Sequence, residues 1–277
     1  MLLRPDGERV KDARIIEQFA PYLLKSKHEA LIFYKQTIPV QVVFEYIKKH
    51  NEQVSKKEYT FFSILLAAMV KIAPEFPQLG RFVVGKRLYR RKEITFSFVM
   101  KSSKESDAQN HWVKLRFTGK ERLKDIAYLL NRKKEKVHQS ENDSGGGADA
   151  SLKFLFSFPP FLRPLVFSCA HLLNRMNLLP KKMIEGDPMF AGCVIANVGS
   201  VGLNPPYHHL YEWGTCSLFM SIGKAYPLAV PDDEKGYAFK QVLDIHYTLD
   251  ERTAFGTFST KALDRLEYYL NNPELLE

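Results

Sequence analysis

Apolar and polar positions alternate most cleanly near the C-terminus of the chain. The alternation from Tyr237 to Tyr247 predicts a strand with one buried face. A helical period follows, because apolar residues then recur four positions apart, at Ala254, Phe258, Ala262 and Leu266. His246 is therefore expected at the end of the strand, and Asp250 is expected in the turn that starts the last helix.

The same two periods predict most of the upstream elements. Strands are predicted at 31–40, 81–84, 88–91, 94–101, 112–117 and 218–224, and a loop and hairpin at 225–236. Helices are predicted within 12–30, from residue 40, after a Thr60 cap, and at 120–137. The first helix is expected to carry one apolar face, formed by Ile15, Ile16, Phe19, Leu23 and Leu24, and to be kinked or divided at Pro21. Helices and strands therefore mix along the chain.

Two neighbouring segments interrupt this order. Residues 139–150, QSENDSGGGADA, have the composition of a flexible loop. Residues 152–180 are apolar, but three prolines and three cations interrupt them, which argues against a transmembrane helix. We interpret them as an apolar helical insert on the core or at a subunit interface. The alternative is a membrane-surface element or a lid over an acyl pocket.

Composition and charge narrow the class of protein. The 277 residues are 45% hydrophobic and 26% charged, as in a globular protein, and we expect one domain over 1–277. The net charge of +9 favours an anionic partner, but the basic residues are scattered without a recognition motif, so nucleic acid is not expected. Three cysteines without a CxxC pair and a polar N-terminus without a signal sequence indicate a cytoplasmic protein.

Two clusters carry candidate chemistry. The first is His246 with Asp250 four positions later, since a neutral imidazole is a competent general base near pH 7. The second is the polar and aromatic run that contains Tyr207, His208, His209, Tyr211 and Trp213. Its His-x-x-Glu spacing has no further ligand nearby, so no metal is expected. The run is either a polar loop or the wall of a pocket for an acyl or pantetheine chain.

The C-terminal motifs resemble a known family. HxxxD, an amphipathic helix and the tail Asn272–Leu276, NPELL, resemble the end of the catalytic domain of 2-oxoacid dehydrogenase acyltransferases, the E2 subunits. Those domains end in DHRxxDG, a helix and a D/N-P-E-L-L tail, and chloramphenicol acetyltransferase shares their fold. The resemblance covers about residues 10–140 and 188–277. It implies an α/β two-layer sandwich with a mixed β-sheet, and a homotrimer with active sites between subunits.

The resemblance also implies residue roles. His246 would take the proton from the thiol of coenzyme A or dihydrolipoamide, whose thiolate attacks an acyl carbonyl. Asp250 would form a buried ion pair, for which the candidate partners are Arg14, Lys25 and Lys27. Residues 194–199 resemble the family's TISNLG strand and glycine loop, whose serine donates to the oxyanion. Ala196 stands at that serine's position, which leaves Asn197, Gly199 and Ser200 as the candidates to replace it.

Two further departures flank the histidine motif. Ile245 replaces the family's Asp before the His, and Glu251 replaces the Gly after the Asp, so we expect a different turn or a carboxylate in the site. No lipoyl domain is recognised, so no lipoyl group is expected on this chain. The expected function is acyl transfer between coenzyme A or acyl-CoA and an unknown acceptor. The alternative is an inactive relative that serves as a binding or scaffolding subunit.

Overall fold

The computed structural model of the protein describes residues 4–54, 58–101, 110–139, 156–232, 236–254 and 256–277. The loop predicted at 139–150 lies outside these residues except for Gln139, which ends a helix, and so do residues 152–155 of the insert.

Nine strands form two sheets in the described part of the chain. They are β1 Gly7–Arg9, β2 Leu31–Pro39, β3 Arg81–Val84, β4 Arg87–Arg91, β5 Ile94–Lys101, β6 Asn110–Phe117, β7 Cys193–Asn197, β8 Leu218–Asp232 and β9 Gly236–Asp250. The large sheet has the order β2-β9-β8-β7-β5-β6, and the small sheet has the order β1-β4-β3. In the large sheet β7 runs parallel to β5 and β8, and the other pairs are antiparallel, so the sheet is mixed.

Helices cover one face of the large sheet. The helices are α1 Ile15–Leu23, α2 Gln41–Glu52, α3 Phe61–Glu75, α4 Leu123–Gln139, α5 Arg163–Arg175, α6 Lys181–Gly186 and α7 Gly256–Asn271. The main core is built by α2, α3, α4 and α7 against the sheet. Thr60 caps α3 as predicted, because its hydroxyl accepts a hydrogen bond from the backbone N–H of Ser63 at 3.1 Å. The predicted α/β two-layer sandwich with a mixed sheet is confirmed.

Strand β9 divides its side chains between two faces. Leu243, Ile245, Tyr247 and Leu249 are buried in the core beneath the helices. The alternate residues from Asp244 to Asp250 therefore lie on the opposite face of the sheet, since successive side chains of a strand point to opposite sides. Burial of a side chain the size of Ile245 contributes about 1.5–3 kcal/mol. This alternation fixes which face carries His246.

The apolar face predicted for the first helix is exposed in the structure. Helix α1 is shorter than predicted, and its large apolar side chains are exposed; Ile15 is 86% accessible. The inward face carries Glu17, Ala20 and Pro21 instead. Glu17 accepts a hydrogen bond from the guanidinium of Arg81 at 3.1 Å, so a buried ion pair turns the polar side of this helix inward.

Of the loop and hairpin predicted at 225–236, the hairpin is confirmed, and strand replaces the loop over most of this range. Strand β8 continues to Asp232 and pairs with β9 as far as Gly236, after an irregularity between Ile222 and Ala225. The side chains of β8 from Ala225 to Pro231 are exposed or half-buried, so no buried face marks the extension of this strand in the sequence.

The apolar insert contains α5 and leads to the short helix α6. In the described part of the chain, no helix combines the length and hydrophobicity needed to cross a bilayer.

Candidate active site

His246 lies within β9, on the sheet face opposite the main core. Its directly paired neighbours are Lys35 on β2 and Ser221 on β8. Ser221 is paired in turn with Ala196 on β7. Side chains of directly paired residues share a face with their Cβ atoms about 4.5–5.5 Å apart, so these four residues form one row across the sheet. We call Lys35, His246, Ser221 and Ala196 the histidine row.

Two consecutive residues, Pro206 and Tyr207, contact the imidazole of His246. The Tyr207 ring stacks on it, with ring centroids 4.0 Å apart and an interplanar angle of 10°. The carbonyl of Pro206 accepts a hydrogen bond from the imidazole, and this hydrogen bond raises the pKa of His246. The Nδ1 atom of His246 is buried and has no hydrogen-bond partner among the described residues. One ring nitrogen therefore has an unused hydrogen-bonding capacity.

The pKa of His246 is lowered from its ordinary value of 6.5, chiefly because burial disfavours the imidazolium. The nearby charges oppose one another: the Asp244 carboxylate raises this pKa, and the Lys35 ammonium lowers it. Asp244 is itself held by Lys35 at 3.0 Å and by the hydroxyl of Thr37 at 2.7 Å. The imidazole is therefore neutral at pH 7, the form that a general base requires.

Asp250 is the last residue of β9, and its ion-pair partner is Arg252. The Nε and Nη2 atoms of Arg252 donate to the two carboxylate oxygens at 2.8 and 2.7 Å, in a buried bidentate pair. The expectation of Arg14, Lys25 or Lys27 as partner is wrong. Arg14 pairs with Glu17, and the backbone N–H of Lys25 donates to Glu29. Arg252 is only two positions away, so the turn itself supplies the counter-charge.

The Asp250 carboxylate raises the pKa of Lys27, but Lys27 makes its hydrogen bonds to other residues. Its Nζ donates to the carbonyls of Tyr211 at 2.7 Å and Gly214 at 3.2 Å. Burial lowers the pKa of Lys27 to about 8, although the Asp250 carboxylate opposes that shift. The ammonium fixes the segment that follows Tyr207 to the start of β2.

The predicted glycine loop packs against β8. A Cβ on Gly199 would lie 2.2 Å from the carbonyl oxygen of Gly223, so only glycine permits this approach. The hydroxyl of Ser200 donates to the Asn197 carbonyl at 2.7 Å, within the loop. The structure gives neither Ser200 nor Asn197 a contact with the imidazole of His246.

Ser221 was missed by the sequence analysis. Its side chain is 1% exposed, and its Oγ has no hydrogen-bond partner within the described residues. It lies between Ala196 and His246 in the histidine row. A buried hydroxyl without a partner is unfavourable unless something else binds it. The signal in the sequence was a serine inside the otherwise apolar strand LFMSIG.

Of the residues predicted to form a pocket wall, Tyr207 contacts the His246 ring. His208 stacks on Phe219 with centroids 4.0 Å apart, and its carbonyl accepts a hydrogen bond from Thr248 at 2.5 Å. The His209 ring stacks on His208, and the Tyr211 ring packs at an angle against both.

Trp213 lies elsewhere. Its indole N–H donates to Asp187 at 2.6 Å, and its ring packs on Phe190, away from the histidine row. Trp213 therefore belongs to a separate apolar cluster.

Glu251 takes part in the turn through its backbone. Its N–H donates to the carbonyl of Ala30 at 2.9 Å, which ties the end of β9 to the start of β2. The side chain is partly exposed. Within the described ranges, no three His, Cys, Asp or Glu side chains converge as metal ligands.

No family model matches this chain, and no curated protein matches it. Solved structures do match it over nearly its whole length. A probable dihydrolipoamide acetyltransferase from Listeria monocytogenes is 13% identical with a TM-score of 0.60, covering 96% of this chain and 94% of that one. The dihydrolipoamide acetyltransferase of Azotobacter vinelandii is 16% identical with a TM-score of 0.61, covering 97% and 93%.

A chloramphenicol acetyltransferase is 11% identical with a TM-score of 0.57, covering 95% of this chain and 99% of that one. The chain has the chloramphenicol acetyltransferase-like fold. The likeness to E2 catalytic cores of 2-oxoacid dehydrogenase complexes, predicted from the C-terminal motifs, is thereby confirmed at the level of the fold.

Proposed function

We propose that this chain is a CoA-dependent acyltransferase in which His246 is the general base. The observation that carries the proposal is the half-buried imidazole itself. It has a lowered pKa, a buried Nδ1 without a partner among the described residues, and a partnerless hydroxyl beside it. A rigid base next to an unused donor fits proton removal and oxyanion binding. Structural neighbours that are acyltransferases support the same reaction class.

The proposed reaction balances with this chain's residues alone. His246 accepts the proton of the acceptor's thiol, amine or hydroxyl, and the acceptor atom bonds to the acyl carbonyl carbon of acyl-CoA. The hydroxyl of Ser221 donates to the oxyanion of the tetrahedral intermediate, the role for which Ala196 lacks a donor. When the carbonyl re-forms, the carbon–sulfur bond breaks. The departing CoA thiolate then takes the proton from the His246 imidazolium.

The histidine motif offers independent support. The Azotobacter enzyme was studied for the roles of a serine, a histidine and an asparagine in its catalytic mechanism. That histidine and asparagine are four positions apart by their numbers, as are His246 and Asp250. In this chain we assign Asp250 a positioning role, since both of its oxygens are engaged by Arg252.

We also propose a homotrimer with the active site between subunits. The histidine row lies on the sheet face opposite the main core, and the aromatic rings of Tyr207 and Phe33 beside it are about half exposed. A neighbouring subunit on this face would cover those rings and close the site. Sedimentation equilibrium of the purified protein tests this, and a monomeric mass for an active sample would contradict it.

Isothermal titration with CoA and a panel of short acyl-CoA thioesters, followed by a thiol-release assay, tests the function. We expect binding and turnover, and we expect His246→Ala to lower kcat by about 100- to 10,000-fold while the protein stays folded. The surface substitution His138→Ala on α4 is the matched control and keeps full activity. Undiminished transfer in the His246 variant would refute its role as base.

A second candidate is an inactive relative that acts as a binding or scaffolding subunit. The stack of Tyr207 directly on the imidazole favours it, as does Ala196 at the position of the family's serine. This candidate predicts no CoA binding, or binding without thiol release by any acyl-CoA in the panel. Turnover that is lost in His246→Ala excludes it.

A further inference from the structure

Helix α1 presents an apolar face to solvent. Five large side chains within its nine residues are more than half exposed: Ile15, Ile16, Phe19, Tyr22 and Leu23. Exposed apolar side chains that lie together mark a surface that contacts another apolar phase. In this helix they sit on the side opposite the buried Glu17 and Pro21.

A basic turn connects α1 to a second exposed helix. The ammonium of Lys86, in the turn between β3 and β4, lies 5.0 Å from the centre of the Tyr22 ring. Gly85 in the same turn packs against the end of α5. The approach is so close that a Cβ on Gly85 would lie 2.8 Å from the carbonyl oxygen of Arg175. Helix α1, this turn and α5 are therefore contiguous.

Helix α5 and its flanks are even more exposed. Only Asn174 is buried in this thirteen-residue helix. Large exposed apolar residues on and around it are Phe156, Phe161, Leu165, Phe167, Leu172, Leu173, Met176 and Leu178. The C-terminal end of α5 is held to the body of the protein through Asn174, which accepts a hydrogen bond from buried Arg4 at 2.9 Å. The apolar side chains of α5 are therefore incompletely covered by the rest of the described chain.

The charge of this region is mainly positive. Between Leu152 and Ile184 the sequence has five lysines and arginines and no acidic residue, and the next residue, Glu185, pairs with Lys181 at 3.6 Å. Arg175, Lys181 and Lys182 are exposed in it, and Lys86 and Arg87 of the adjoining turn are exposed as well. Apolar side chains bordered by cations match the interface of an anionic bilayer, where acyl chains lie beneath phosphate groups.

We propose that α1, the β3–β4 turn and residues 156–182 form a surface that docks the protein onto an anionic lipid bilayer. The apolar rings and chains insert to the level of the acyl boundary, and the cations contact lipid phosphates. Without a spanning helix among the described residues, the attachment is peripheral. This inference does not depend on the acyltransferase assignment, since it concerns other residues.

Co-sedimentation with vesicles tests the surface without any substrate. The full-length protein is expected to bind phosphatidylcholine vesicles that contain about 30 mol% phosphatidylglycerol, and to bind pure phosphatidylcholine far less. Raising the salt to about 0.5 M should release most of it, because screening weakens the contacts with phosphate. Equal binding to both vesicles would refute the role of the cations, and no binding would refute the proposal.

Two pairs of variants separate the contributions. Arg87→Glu with Lys182→Glu should lower partitioning at least about 25-fold, since each cation near the surface is worth about fivefold. Phe19→Ser with Leu172→Ser should lower it by a similar factor. The matched controls lie on α4, where Lys124→Glu and Tyr128→Ser are expected to bind as the unchanged protein does. Circular dichroism checks that each variant is folded.

A second copy of the chain is the competing occupant of this surface. If the Phe19 and Leu172 variant changes the oligomeric mass in sedimentation equilibrium, and the unchanged protein ignores anionic vesicles, the surface is a subunit contact. That outcome overturns the proposal and leaves the thiol-release assay unaffected, so failure here is distinguishable from failure of the proposed function.

Discussion

The two faces of β9 carry different kinds of information. On one face Ile245, Tyr247 and Leu249 pack beneath the helices and hold the fold together. On the other, Asp244, His246 and Asp250 interact with Lys35, Tyr207 and Arg252 and build the candidate site. Because the period of a strand is two, adjacent residues serve separate purposes. Substitutions on one face should therefore alter stability, and most substitutions on the other should alter chemistry.

Asp250 should be the exception on the polar face. Asp250→Asn leaves the Arg252 guanidinium buried without its carboxylate, so we expect the free energy of unfolding to fall by about 3–5 kcal/mol. Urea denaturation measures this loss. The double variant with Arg252→Met should recover part of it, because the guanidinium that lost its carboxylate is then also removed. A loss below about 1 kcal/mol would show that the ion pair does not secure the turn.

Ile245 tests the apolar face beside the proposed base. Ile245 is fully buried, so Ile245→Ala should lower the free energy of unfolding by about 2–5 kcal/mol. Turnover per folded molecule should change by less than about tenfold, since the side chain points away from the site. Thermal unfolding and the thiol-release assay measure the two effects. A large rate loss with unchanged stability would break the division between the faces.

Ser221 should show the opposite balance. Ser221→Ala should lower kcat by about 100- to 1,000-fold if its hydroxyl binds the oxyanion. The free energy of unfolding should change by less than about 1 kcal/mol, because the hydroxyl has no partner to lose. Ser97 on β5 is the matched control. Its hydroxyl is equally buried and has no partner among the described residues, but the residue lies opposite Val194 in the sheet, outside the histidine row. If Ser221→Ala and Ser97→Ala have the same kcat, the Ser221 hydroxyl does not bind the oxyanion.

The smallest expected effect is a shift in the pH profile. Since burial lowers the pKa of His246, kcat/KM should rise with pH along a limb centred below pH 6.5 and level off by neutrality. Asp244→Asn removes a charge that raises this pKa, so the limb should move to lower pH. Lys35→Met should move it to higher pH, because the ammonium lowers the pKa. If neither substitution moves the limb of the pH profile, the group that titrates there is not His246.

Local patterns were enough to predict that His246 belongs to the last strand, whereas the fold class followed from the resemblance of the C-terminal motifs. The strand was predicted to end near His246 with Asp250 in the turn, but β9 continues to Asp250. Alternation identified β5 and most of β9, and the Thr60 cap followed from the residue type alone. Ser221 could not be assigned, because its position beside His246 depends on the register between β8 and β9. The exposure of the apolar face of α1 could not be predicted, because an apolar stripe does not reveal whether the core or another surface covers it.

The partner of Asp250 has a consequence for how the chain folds. A counter-ion two positions away closes a very short loop, so the ion pair needs no distant segment to form. A partner such as Arg14 would have joined the two ends of the sequence and slowed that step. The corner between β9 and α7 can therefore take its native charge pairing while the N-terminal elements are still unfolded. In kinetic terms, the turn that follows the proposed base is a local structure within a largely non-local fold.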